Sequence, residues 1–428
     1  MGEATLPSRN SPNDREVLET TASDSAIRDA DCEVSWRKTT ARYGAIVAVL
    51  VALLWLALAL QLEGYVNQID PTPLPAISPR ARALHDTSFV ADLHADSLLF
   101  GRNLLDHSSL GHVDLPRLRE GGVGLQIFSL PTIVPFGLNI EANERPGLDA
   151  ITIAGLAQLS PTAWLGPTGR ALYRANQLRD YARASDGALV LIEDRADLER
   201  LLAARAEGAE ITGALLSIEG AHAMEGELDS LQRLFDAGYR MIGLTHFFDN
   251  RYAGSAHGVE KGGLTDLGRQ TVLDMEKLNV VVDLAHLSPT AIGEVLDFAS
   301  QPTVVSHSGV RATCDNRRNL SDELIRRIAD GGGIVGIGYW ETAVCGRTPA
   351  DIAKAISHIV GLVGADHAAL GSDYDGGTTA CFDTSDLPAV TQALIDEGPG
   401  HAALRKLLGE NVLRVLSKTL PPAGIEAD

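Results

Sequence analysis

From about residue 81 onward, the sequence predicts an α/β fold, a (β/α)8 barrel of the TIM type with insertions. Short apolar runs alternate with amphipathic stretches, as expected for a parallel sheet of buried strands. The roughly 350 residues that remain after position 81 are long enough for such a barrel. The strand-like runs are Phe89–Asp92, Val123–Ser129, Ala214–Ile218, Met241–Thr245, Val280–Leu284, Thr303–Ser306, Ile334–Gly338 and Ala369–Ser372. An open doubly wound sheet is the alternative, but no G-x-G-x-x-G sequence opens a helix after the first strand.

Helices are predicted between these strands from the spacing of apolar residues. Ser288-Pro289 and Ser321, which is followed by acidic residues, are good helix starts. The long segment 131–212 between the second and third strands is expected to form extra helices. The other predicted helical stretches are Leu228–Ala237, Asp266–Leu278, Pro289–Phe298, Ser321–Ala329 and Pro349–Val363.

The part of the chain before the barrel divides into three segments. Residues 1–42 are polar and predict a disordered tail. Residues 43–62 carry no charge, and about 20 apolar residues suffice for a transmembrane helix. Residues 63–80 contain closely spaced prolines, which favour an extended linker. The domain boundary is therefore expected in this linker, with the barrel domain at 81–428.

The charges that flank the apolar run predict its orientation. Three basic residues between positions 37 and 42 precede it, whereas Glu63 and Asp70 follow. The positive-inside rule then places the N-terminus in the cytoplasm and the barrel on the outer side of the cytoplasmic membrane, as a single-pass protein. A cleaved signal peptide is the alternative, but the apolar run and the segment before it are both long for one.

Composition limits the possible partners and the redox chemistry. The net charge of −20 argues against nucleic acid, which requires a basic surface. Four cysteines are too few for a disulfide scaffold. Cys345 and Cys381 follow the seventh and eighth strands, which are neighbours in a barrel. Outside the cytoplasm they could form a disulfide, which would leave Cys314 free, but the sequence does not decide whether they pair.

Residues with metal-ligand or proton-transfer side chains follow six of the eight predicted strands. In this type of barrel the active site lies at the carboxyl ends of the strands, so these side chains are expected to converge. His94 and Asp96 are two positions apart and project to the same side of an extended chain. The residues at the ends of the later strands are Glu219, His246, His286, His307 and Asp373.

The number of ligand-type residues predicts two metal ions. His94 and Asp96 would hold one ion and His286 and His307 the other, with Glu219 bridging them. Nitrogen and oxygen ligands without cysteine favour zinc, with manganese and cobalt as alternatives. A divalent ion lowers the pKa of bound water from about 15.7 to about 7, so a bridging hydroxide is available for hydrolysis at neutral pH.

Taken together, the strand-end motifs resemble the membrane dipeptidase (renal dipeptidase) family of zinc peptidases, within the amidohydrolase-type metal barrels. The resemblance runs from about His85 to Leu420 and is closest to a bacterial branch. The motifs are His94-x-Asp96, Ser217-Ile218-Glu219-Gly220-Ala221-His222, Leu244-Thr245-His246, Val282-Asp283-Leu284-Ala285-His286-Leu287-Ser288, Ser306-His307-Ser308, Arg317-Arg318-Asn319 and Gly371-Ser372-Asp373-Tyr374-Asp375-Gly376.

The resemblance implies a role for each matching residue. It implies a dizinc site bridged by Glu219, and hydrolysis of dipeptides, including those with a C-terminal D-residue. His246 would contact the substrate and stabilise the oxyanion, and Arg318 would bind the terminal carboxylate. Asp373 would take a proton from the water and pass it to the leaving amine. The implied partners are a dipeptide and the membrane, and a homodimer is a further expectation.

Departures from the family pattern concern the substrate pocket rather than the metals. Ala95 stands where many members have Asn, and Phe247-Phe248 follows His246 where many have Cys-Asn. The animal members' disulfide and lipid anchor have no counterpart in the sequence. Two other functions remain open: hydrolysis of a cyclic amide or ester, and a non-catalytic binding protein that kept the barrel.

Several polar residues near the strand ends have a more ordinary interpretation. Asp92, Asp283 and Asp375 are expected to support the ligands or to cap helices, and Arg317 to be structural. His222 is as easily a support for the ligands as a residue without a role at the site. The remaining histidines are expected on the surface or on helices: His85, His107, His112, His257, His358, His367 and His401.

Overall fold

A computed structural model describes residues 1–2, 13–158, 160–227 and 229–423 of the chain. The chain divides into two compact units, Met1–Ala59 and Leu60–Asp428. Residues 3–12 of the expected tail lie outside the described residues.

From Asn13 onward the N-terminal unit is one long helix, α1, which spans Asn13–Val66 and so ends in the second unit. By length and composition alone, its 20-residue stretch Trp36–Trp55 could cross a membrane. This stretch overlaps the predicted span 43–62. The helix also covers residues 13–42, for which disorder was expected. Neither proline nor glycine occurs between Asn13 and Tyr43, so nothing in that segment interrupts a helix.

Eight parallel strands form a closed barrel in the second unit. Each pairs with the next in chain order, and the eighth pairs with the first at Leu370 and Asp92. This closure confirms the predicted (β/α)8 barrel and excludes the open sheet. The strands are β1 (Val90–Ala95), β2 (Val123–Phe128), β3 (Thr212–Ile218), β4 (Tyr239–Gly243), β5 (Val281–Asp283), β6 (Val304–Ser308), β7 (Ile334–Ile337) and β8 (Ala368–Leu370).

Within the described residues, three short strands lie outside the barrel. Leu189–Leu191, in the long segment between β2 and β3, pairs in parallel with β3. Gln68–Ile69 pairs in parallel with Thr379–Ala380, which follows β8. The segment that was predicted to be a linker therefore contributes a strand to the second unit.

Helices surround the barrel and fill the segment between β2 and β3. They are α2 (Pro79–Asp86), α3 (Leu115–Glu120), α4 (Ala150–Ala157), α5 (Pro167–Ala184), α6 (Arg195–Ala206), α7 (Asp229–Asp236), α8 (Asp266–Lys277), α9 (Pro289–Leu296), α10 (Asp322–Asp330), α11 (Glu341–Val344), α12 (Pro349–Val363), α13 (Pro388–Asp396), α14 (His401–Arg405) and α15 (Asn411–Thr419). Short 3-10 turns occupy Ser97–Leu99, Pro161–Trp164, Ala221–Met224, Ala365–His367 and Thr384–Asp386, and a π turn occupies Lys406–Glu410.

Helices α7 to α10 and α12 occupy the predicted stretches, although Leu228, the predicted start of α7, lies outside the described residues. The two start signals that the sequence predicted, for α9 and α10, act as expected. The Ser288 hydroxyl accepts a hydrogen bond from Ala291 N at 3.0 Å, and the Ser321 hydroxyl accepts one from Leu324 N at 3.3 Å. Both serines therefore cap the first turn of a helix. The expected extra helices in segment 131–212 are also present, as α4, α5 and α6.

Neighbouring residues on the strands supply two separate apolar clusters. One cluster takes at least one side chain from every barrel strand, such as Met241, Val281 and Val304, and is joined by α15. The adjacent residues Ile242 and Val282 belong to the larger cluster, which includes the surrounding helices. Because side chains alternate between the two faces of a strand, each strand is buried on both faces.

Cys345 and Cys381, whose pairing the sequence left open, do not form a disulfide. Cys345 is bonded to Cys314, with the two Cα atoms 5.2 Å apart, and Cys381 is a buried free thiol. The loop after β6 approaches the loop after β7, where Asn319 Nδ2 donates to Cys314 O at 2.7 Å and to Ala343 O at 2.9 Å. The disulfide therefore links the segments that follow β6 and β7, rather than those that follow β7 and β8.

Candidate active site

His94 lies at the carboxyl end of β1, and Asp96 follows this strand directly. Asp96 Oδ1 is 3.5 Å from His94 Nε2, as the two-residue spacing on an extended chain predicts. Asp96 N donates to Tyr374 O at 2.8 Å, which attaches the end of β1 to the loop after β8. Both side chains are buried. The first predicted ligand pair is thus held together by the backbone of neighbouring strands.

Glu219 follows β3 and is the most central side chain of the cluster. Its Oε1 is 2.7 Å from His286 Nε2, 3.1 Å from His307 Nε2 and 3.9 Å from His94 Nε2. Its Oε2 is 3.3 Å from His246 Nε2. One carboxylate therefore faces both predicted ligand groups, as a bridging ligand must.

The other predicted pair comes from neighbouring strands. His307 belongs to β6, and His286 follows β5 by three residues. Their Nε2 atoms are 2.9 Å apart. His286 has a φ angle of 63°, an uncommon conformation for a residue with a side chain, and such angles cluster at functional sites.

A single hydroxyl orients one imidazole from each pair. Ser306 Oγ donates to Asp283 Oδ2 at 2.6 Å, so its lone pairs are free to accept from other groups. His94 Nδ1 lies 3.2 Å from this oxygen and His307 Nδ1 lies 2.9 Å from it. Both rings consequently carry their proton on Nδ1, which leaves Nε2 as the metal-binding atom. Asp283 thus supports the ligand imidazoles through Ser306, and this is one of the two roles expected for it.

Burial and neighbouring charges set the protonation of the cluster. Burial lowers the pKa of both His286 and His307 well below the usual range, and the Arg318 charge acts in the same direction, so both rings are neutral. Burial also lowers the pKa of His94, but Glu219 and Asp96 outweigh it and raise that pKa to about 10. The carboxylates around the His94 ring therefore favour a positive charge between them.

The residues fit metal ions. His94 Nε2, Asp96 Oδ1 and Glu219 Oε1 are buried and have no hydrogen-bond partner within the described part of the chain. Neutral imidazoles and carboxylates without a thiolate form a donor set that zinc and similar divalent ions accept. Three groups have ligand atoms within 4.8 Å of one another: His94 with Glu219 and His307, Glu219 with His246 and His286, and His94 with Asp96 and Asp373.

Asp373 follows β8 and faces the first ligand pair. Its Oδ1 is 3.8 Å from His94 Nε2. Burial raises the pKa of the Asp373 carboxyl, and the nearby Asp96 raises it further. A Cβ atom on Gly376 would lie 2.4 Å from Asp373 Oδ1 and 3.1 Å from Asp96 Oδ2. Glycine at position 376 therefore leaves room for the two carboxylates.

Arg318 lies on the loop after β6, beside the ligand His307. Its Nη2 donates to His307 O at 2.5 Å and its Nη1 donates to Ser308 Oγ at 3.1 Å. The residue is only 6% exposed, and its pKa is lowered by burial and raised by Asp373 and Glu219. By contrast, the Arg317 side chain is 62% exposed and pairs with Glu141 at the surface. The adjacent arginines thus have different surroundings.

His246 lies on the loop after β4 and completes the cluster. Its ring is edge-on to His286, with centroids 4.7 Å apart. Its backbone oxygen accepts a hydrogen bond from Ser255 Oγ. Burial, with His222 and His257 acting in the same direction, lowers the pKa of His246 well below its usual range, so the ring is neutral. His246 therefore lies next to Glu219 and to His286, a predicted ligand of the second ion.

Three aromatic rings that the sequence did not assign to the site also lie beside the ligands. His257 and Phe247 have ring centroids 5.2 and 5.3 Å from that of His286. Trp340, which follows β7, has its centroid 5.8 Å from that of His307. Burial lowers the pKa of His257 to about 4. Trp340 could have been found from the sequence, because it closely follows the predicted strand Ile334–Gly338 and active-site residues follow the strands of such a barrel.

Two histidines expected on the surface or on helices are buried in loops instead. His257 is 2% exposed, and its Nδ1 lies 2.9 Å from Ile140 O. His112 is fully buried against Asp375. His222 is buried with its ring stacked on Phe248 at 4.5 Å. Long loops fold back on the barrel at these residues, and single-residue patterns do not reveal such returns.

Comparisons with known proteins show the family of this chain. The family model described as membrane dipeptidase (peptidase family M19) matches residues 78–421. The chain is 29% identical to dipeptidase aclJ of Aspergillus oryzae over 403 residues, which cover 90% of each chain. It is 27% identical to an uncharacterised dipeptidase of Schizosaccharomyces pombe over 323 residues, or 72% of each chain.

Solved structures give the same picture. A metallopeptidase from Rhodobacter sphaeroides, solved with a phosphinate mimic of the dipeptide L-Ala-D-Ala, is similar to this chain with a TM-score of 0.64 and 26% identity. The match covers 78% of this chain and 99% of that one. The probable dipeptidase PvdM of Pseudomonas aeruginosa matches with a TM-score of 0.66 and 21% identity over 80% of this chain and 99% of its own, which shows the fold. The chain belongs to the membrane dipeptidase family, and it is accordingly a metal-dependent hydrolase of peptide bonds.

Proposed function

We propose that this chain is a membrane-anchored dipeptidase that uses two zinc ions and accepts a D-residue at the C-terminal position of its substrate. The observation that carries this proposal is the central position of Glu219, whose Oε1 lies within 4 Å of imidazole nitrogens from three different strands or strand ends. A dipeptidase of this kind also requires a group that recognises the carboxylate end of a short substrate, and Arg318 lies beside the cluster.

Five side chains would hold the two ions. His94 and Asp96 would bind one ion, His286 and His307 the other, and Glu219 both. When bound, divalent ions make water a stronger nucleophile at neutral pH and polarise a carbonyl oxygen. Ser306 fixes the Nδ1 proton of His94 and of His307, so Nε2 is the nitrogen of each ring that would face an ion.

Asp373 is placed to move the proton that hydrolysis requires. Burial raises the pKa of its carboxyl, which makes the carboxylate a stronger proton acceptor than an exposed one. It would accept a proton from the attacking water and donate it to the amine that leaves. The carboxyl oxygen lies beside His94, so the proton moves within the ligand cluster.

Arg318 and His246 would position the substrate. The guanidinium of Arg318 is fixed by two hydrogen bonds and bears its charge in a buried place, which suits a single carboxylate at the end of a short peptide. His246 would donate a hydrogen bond to the oxygen of the attacked carbonyl. Because Arg318 fixes the carboxylate end near the reacting atoms, long peptides are excluded.

The D-residue part of the proposal draws on a similar structure. The Rhodobacter sphaeroides metallopeptidase was solved with a phosphinate mimic of L-Ala-D-Ala, a dipeptide with a C-terminal D-residue. In this chain Trp340 and Phe247 stand beside the ligands and would form part of the side-chain pocket.

Membrane anchoring is proposed from the stretch Trp36–Trp55, whose three basic residues all lie among its first seven positions, ahead of an uncharged apolar run. The barrel would then lie outside the cytoplasmic membrane. The disulfide between Cys314 and Cys345 supports this side, because disulfides persist in oxidising compartments. The homodimer stays a prediction.

A substrate panel tests the proposal. The purified full-length chain is given L-Xaa-L-Xaa and L-Xaa-D-Xaa dipeptides, the matching C-terminal amides, tripeptides and cyclic amides. We expect release of amino acids from free dipeptides of both kinds and little or none from amides or tripeptides. Cleavage of cyclic amides alone would refute the dipeptidase assignment, and cleavage of nothing by a metal-loaded protein would favour a binding protein.

A further inference from the structure

We propose that residues 63–69, called the stem here, position Asp373 by holding the loop that follows β8. This loop, residues 373–380, is called the β8 loop. The proposal rests on the proposed function, in which Asp373 carries the proton. The stem follows the apolar run in sequence and precedes residue 78, where the match to the family model begins. Its role is therefore a feature of this chain beyond the matched region.

The β8 loop has a backbone that needs support. Asp373 has a φ angle of 60° and Asp375 one of 63°, and both are in the left-handed region that residues with a side chain rarely adopt. Such conformations persist only where the surrounding structure enforces them. Because the Asp373 carboxyl projects from this backbone, its position depends on whatever holds the loop.

The backbone of the stem pairs with the last residues of the β8 loop. Gln68 and Ile69 form a parallel pair of strands with Thr379 and Ala380. Gln68 N also donates to Thr378 O at 3.2 Å. The hydroxyl of Thr378 in turn donates to Asp373 O at 2.9 Å. Two hydrogen bonds thus connect the stem to the backbone of the proposed proton carrier.

A side chain of the stem fixes the middle of the loop. Asn67 is 3% exposed, and its Oδ1 accepts a hydrogen bond from Gly377 N at 2.8 Å. Gly377 has a φ angle of 78°, so this bond holds the loop at another left-handed residue. The stem therefore contacts the loop through a side chain as well as through its backbone.

A buried network of charged side chains links the stem to Asp375 in the β8 loop. Arg102 Nε donates to Glu63 Oε1 at 2.5 Å, and Arg102 Nη2 donates to Asp375 Oδ2 at 2.5 Å. The Glu63 and Arg102 side chains are each 8% exposed, and the Asp375 side chain is fully buried. Removing the Glu63 carboxylate would leave a buried guanidinium short of a partner and free to shift toward or away from Asp375.

His112 joins the same network from the segment before α3. Its N donates to Asp375 Oδ1 at 2.6 Å, and its Nε2 lies 3.1 Å from Gln68 O. Its ring stacks on that of Tyr374 at 4.8 Å. The stem and the β8 loop thus share His112 as a neighbour. These contacts explain why Asp375, expected only as a ligand support or a helix cap, is buried.

Point variants of the full chain in detergent test the proposal. Glu63→Ala removes the ion pair and Asn67→Ala removes one hydrogen bond. Glu63→Gln keeps an oxygen that can accept from Arg102. Tyr65→Ala is the matched control, because Tyr65 lies in the same stem with 77% of its surface exposed. Each variant is assayed for kcat and KM on a dipeptide, for metal content, and for amide hydrogen exchange along the chain.

We expect Glu63→Ala and Asn67→Ala to lower kcat, by about tenfold or more for Glu63→Ala, with KM and metal content nearly unchanged. Amide exchange should accelerate in the β8 loop while β5 and β6 stay protected. Glu63→Gln should recover part of the loss, and Tyr65→Ala should match the unaltered chain. Unchanged exchange in the β8 loop, or equal acceleration throughout the barrel, would overturn the proposal.

The exchange measurement keeps this test separate from that of the proposed function. If the unaltered chain cleaves no dipeptide, the proposed function fails, and local exchange in the β8 loop of Glu63→Ala and Asn67→Ala still decides whether the stem holds the loop. If the unaltered chain cleaves dipeptides and kcat of both variants equals its value, the positioning role fails although the function stands.

Discussion

His286 Nε2 lies 2.7 Å from Oε1 of Glu219, although the two residues come from different strands of the barrel. The same oxygen lies 3.1 Å from His307 Nε2, and the other oxygen of Glu219 faces His246. Burial raises the pKa of this carboxyl well above its usual range, so a bare carboxylate is costly here without positive charge nearby. Divalent ions would supply that charge.

Glu219→Gln should therefore lose metal at both positions. The amide offers one neutral oxygen and a donor in place of a bridging carboxylate, so we expect the metal content to fall from about two ions per chain to below one. Elemental mass spectrometry measures this directly. Glu227→Gln, an exposed glutamate on the same loop, is the control. Retention of both ions by Glu219→Gln would refute the bridging role.

Ser306→Ala should weaken metal binding without removing any ligand. The hydroxyl fixes the Nδ1 protons of His94 and His307, and loss of such an outer contact costs about 10- to 100-fold in metal affinity. Competition with a chromophoric chelator measures the affinity.

Ser372→Ala is the matched control for this serine. Ser372 Oγ donates to Asp92 Oδ2 at 2.5 Å, as Ser306 Oγ does to Asp283, but it meets His94 only at the backbone oxygen. The metal affinity of Ser372→Ala should stay within about threefold of that of the unaltered chain, since the Ser372 hydroxyl fixes no imidazole proton. Equal losses in both variants would mean that Ser306 acts through general packing.

Asp373→Asn should separate proton transfer from metal binding. The amide cannot accept the proton of the attacking water, so we expect kcat to fall by about 10²- to 10⁴-fold. Metal content should remain, because His94, Asp96 and Glu219 keep their positions. Asp373 also lies 3.8 Å from His94 Nε2. A parallel loss of metal would therefore show that it is a ligand.

Arg318→Ala should raise KM for dipeptides by at least about tenfold, because removing a buried partner of a charged group costs a few kcal/mol. The unaltered chain should discriminate between a dipeptide and its C-terminal amide, and the variant should not. Arg317→Ala is the control, since its side chain is 62% exposed and pairs with Glu141. Unchanged discrimination in Arg318→Ala would contradict the carboxylate assignment.

Much of the barrel could be predicted because it depends on local patterns. Apolar runs located all eight strands, and capping serines located the starts of α9 and α10. Since the carboxyl ends of barrel strands meet, residues such as His94, Glu219 and His307 could be expected to converge before their distances were known. Whether they bind metal stays a prediction.

Other features depend on how loops cross the barrel. Cys345 has neighbouring loops on both sides, and the sequence analysis considered only Cys381 as its partner, whereas the loop after β6 brings Cys314 to it. His257 and His112 are buried because long loops return to the barrel. The stem was predicted to be a linker, because a two-residue strand such as Gln68–Ile69 has no periodicity that a sequence pattern could show.

The most direct test of the account is the metal content of the purified full-length chain, measured together with hydrolysis of an L-Xaa-D-Xaa dipeptide before and after chelation. We predict about two zinc ions per chain, with cleavage that a chelator abolishes and added zinc restores. Two ions per chain without dipeptide cleavage, or cleavage that survives complete removal of metal, would contradict it.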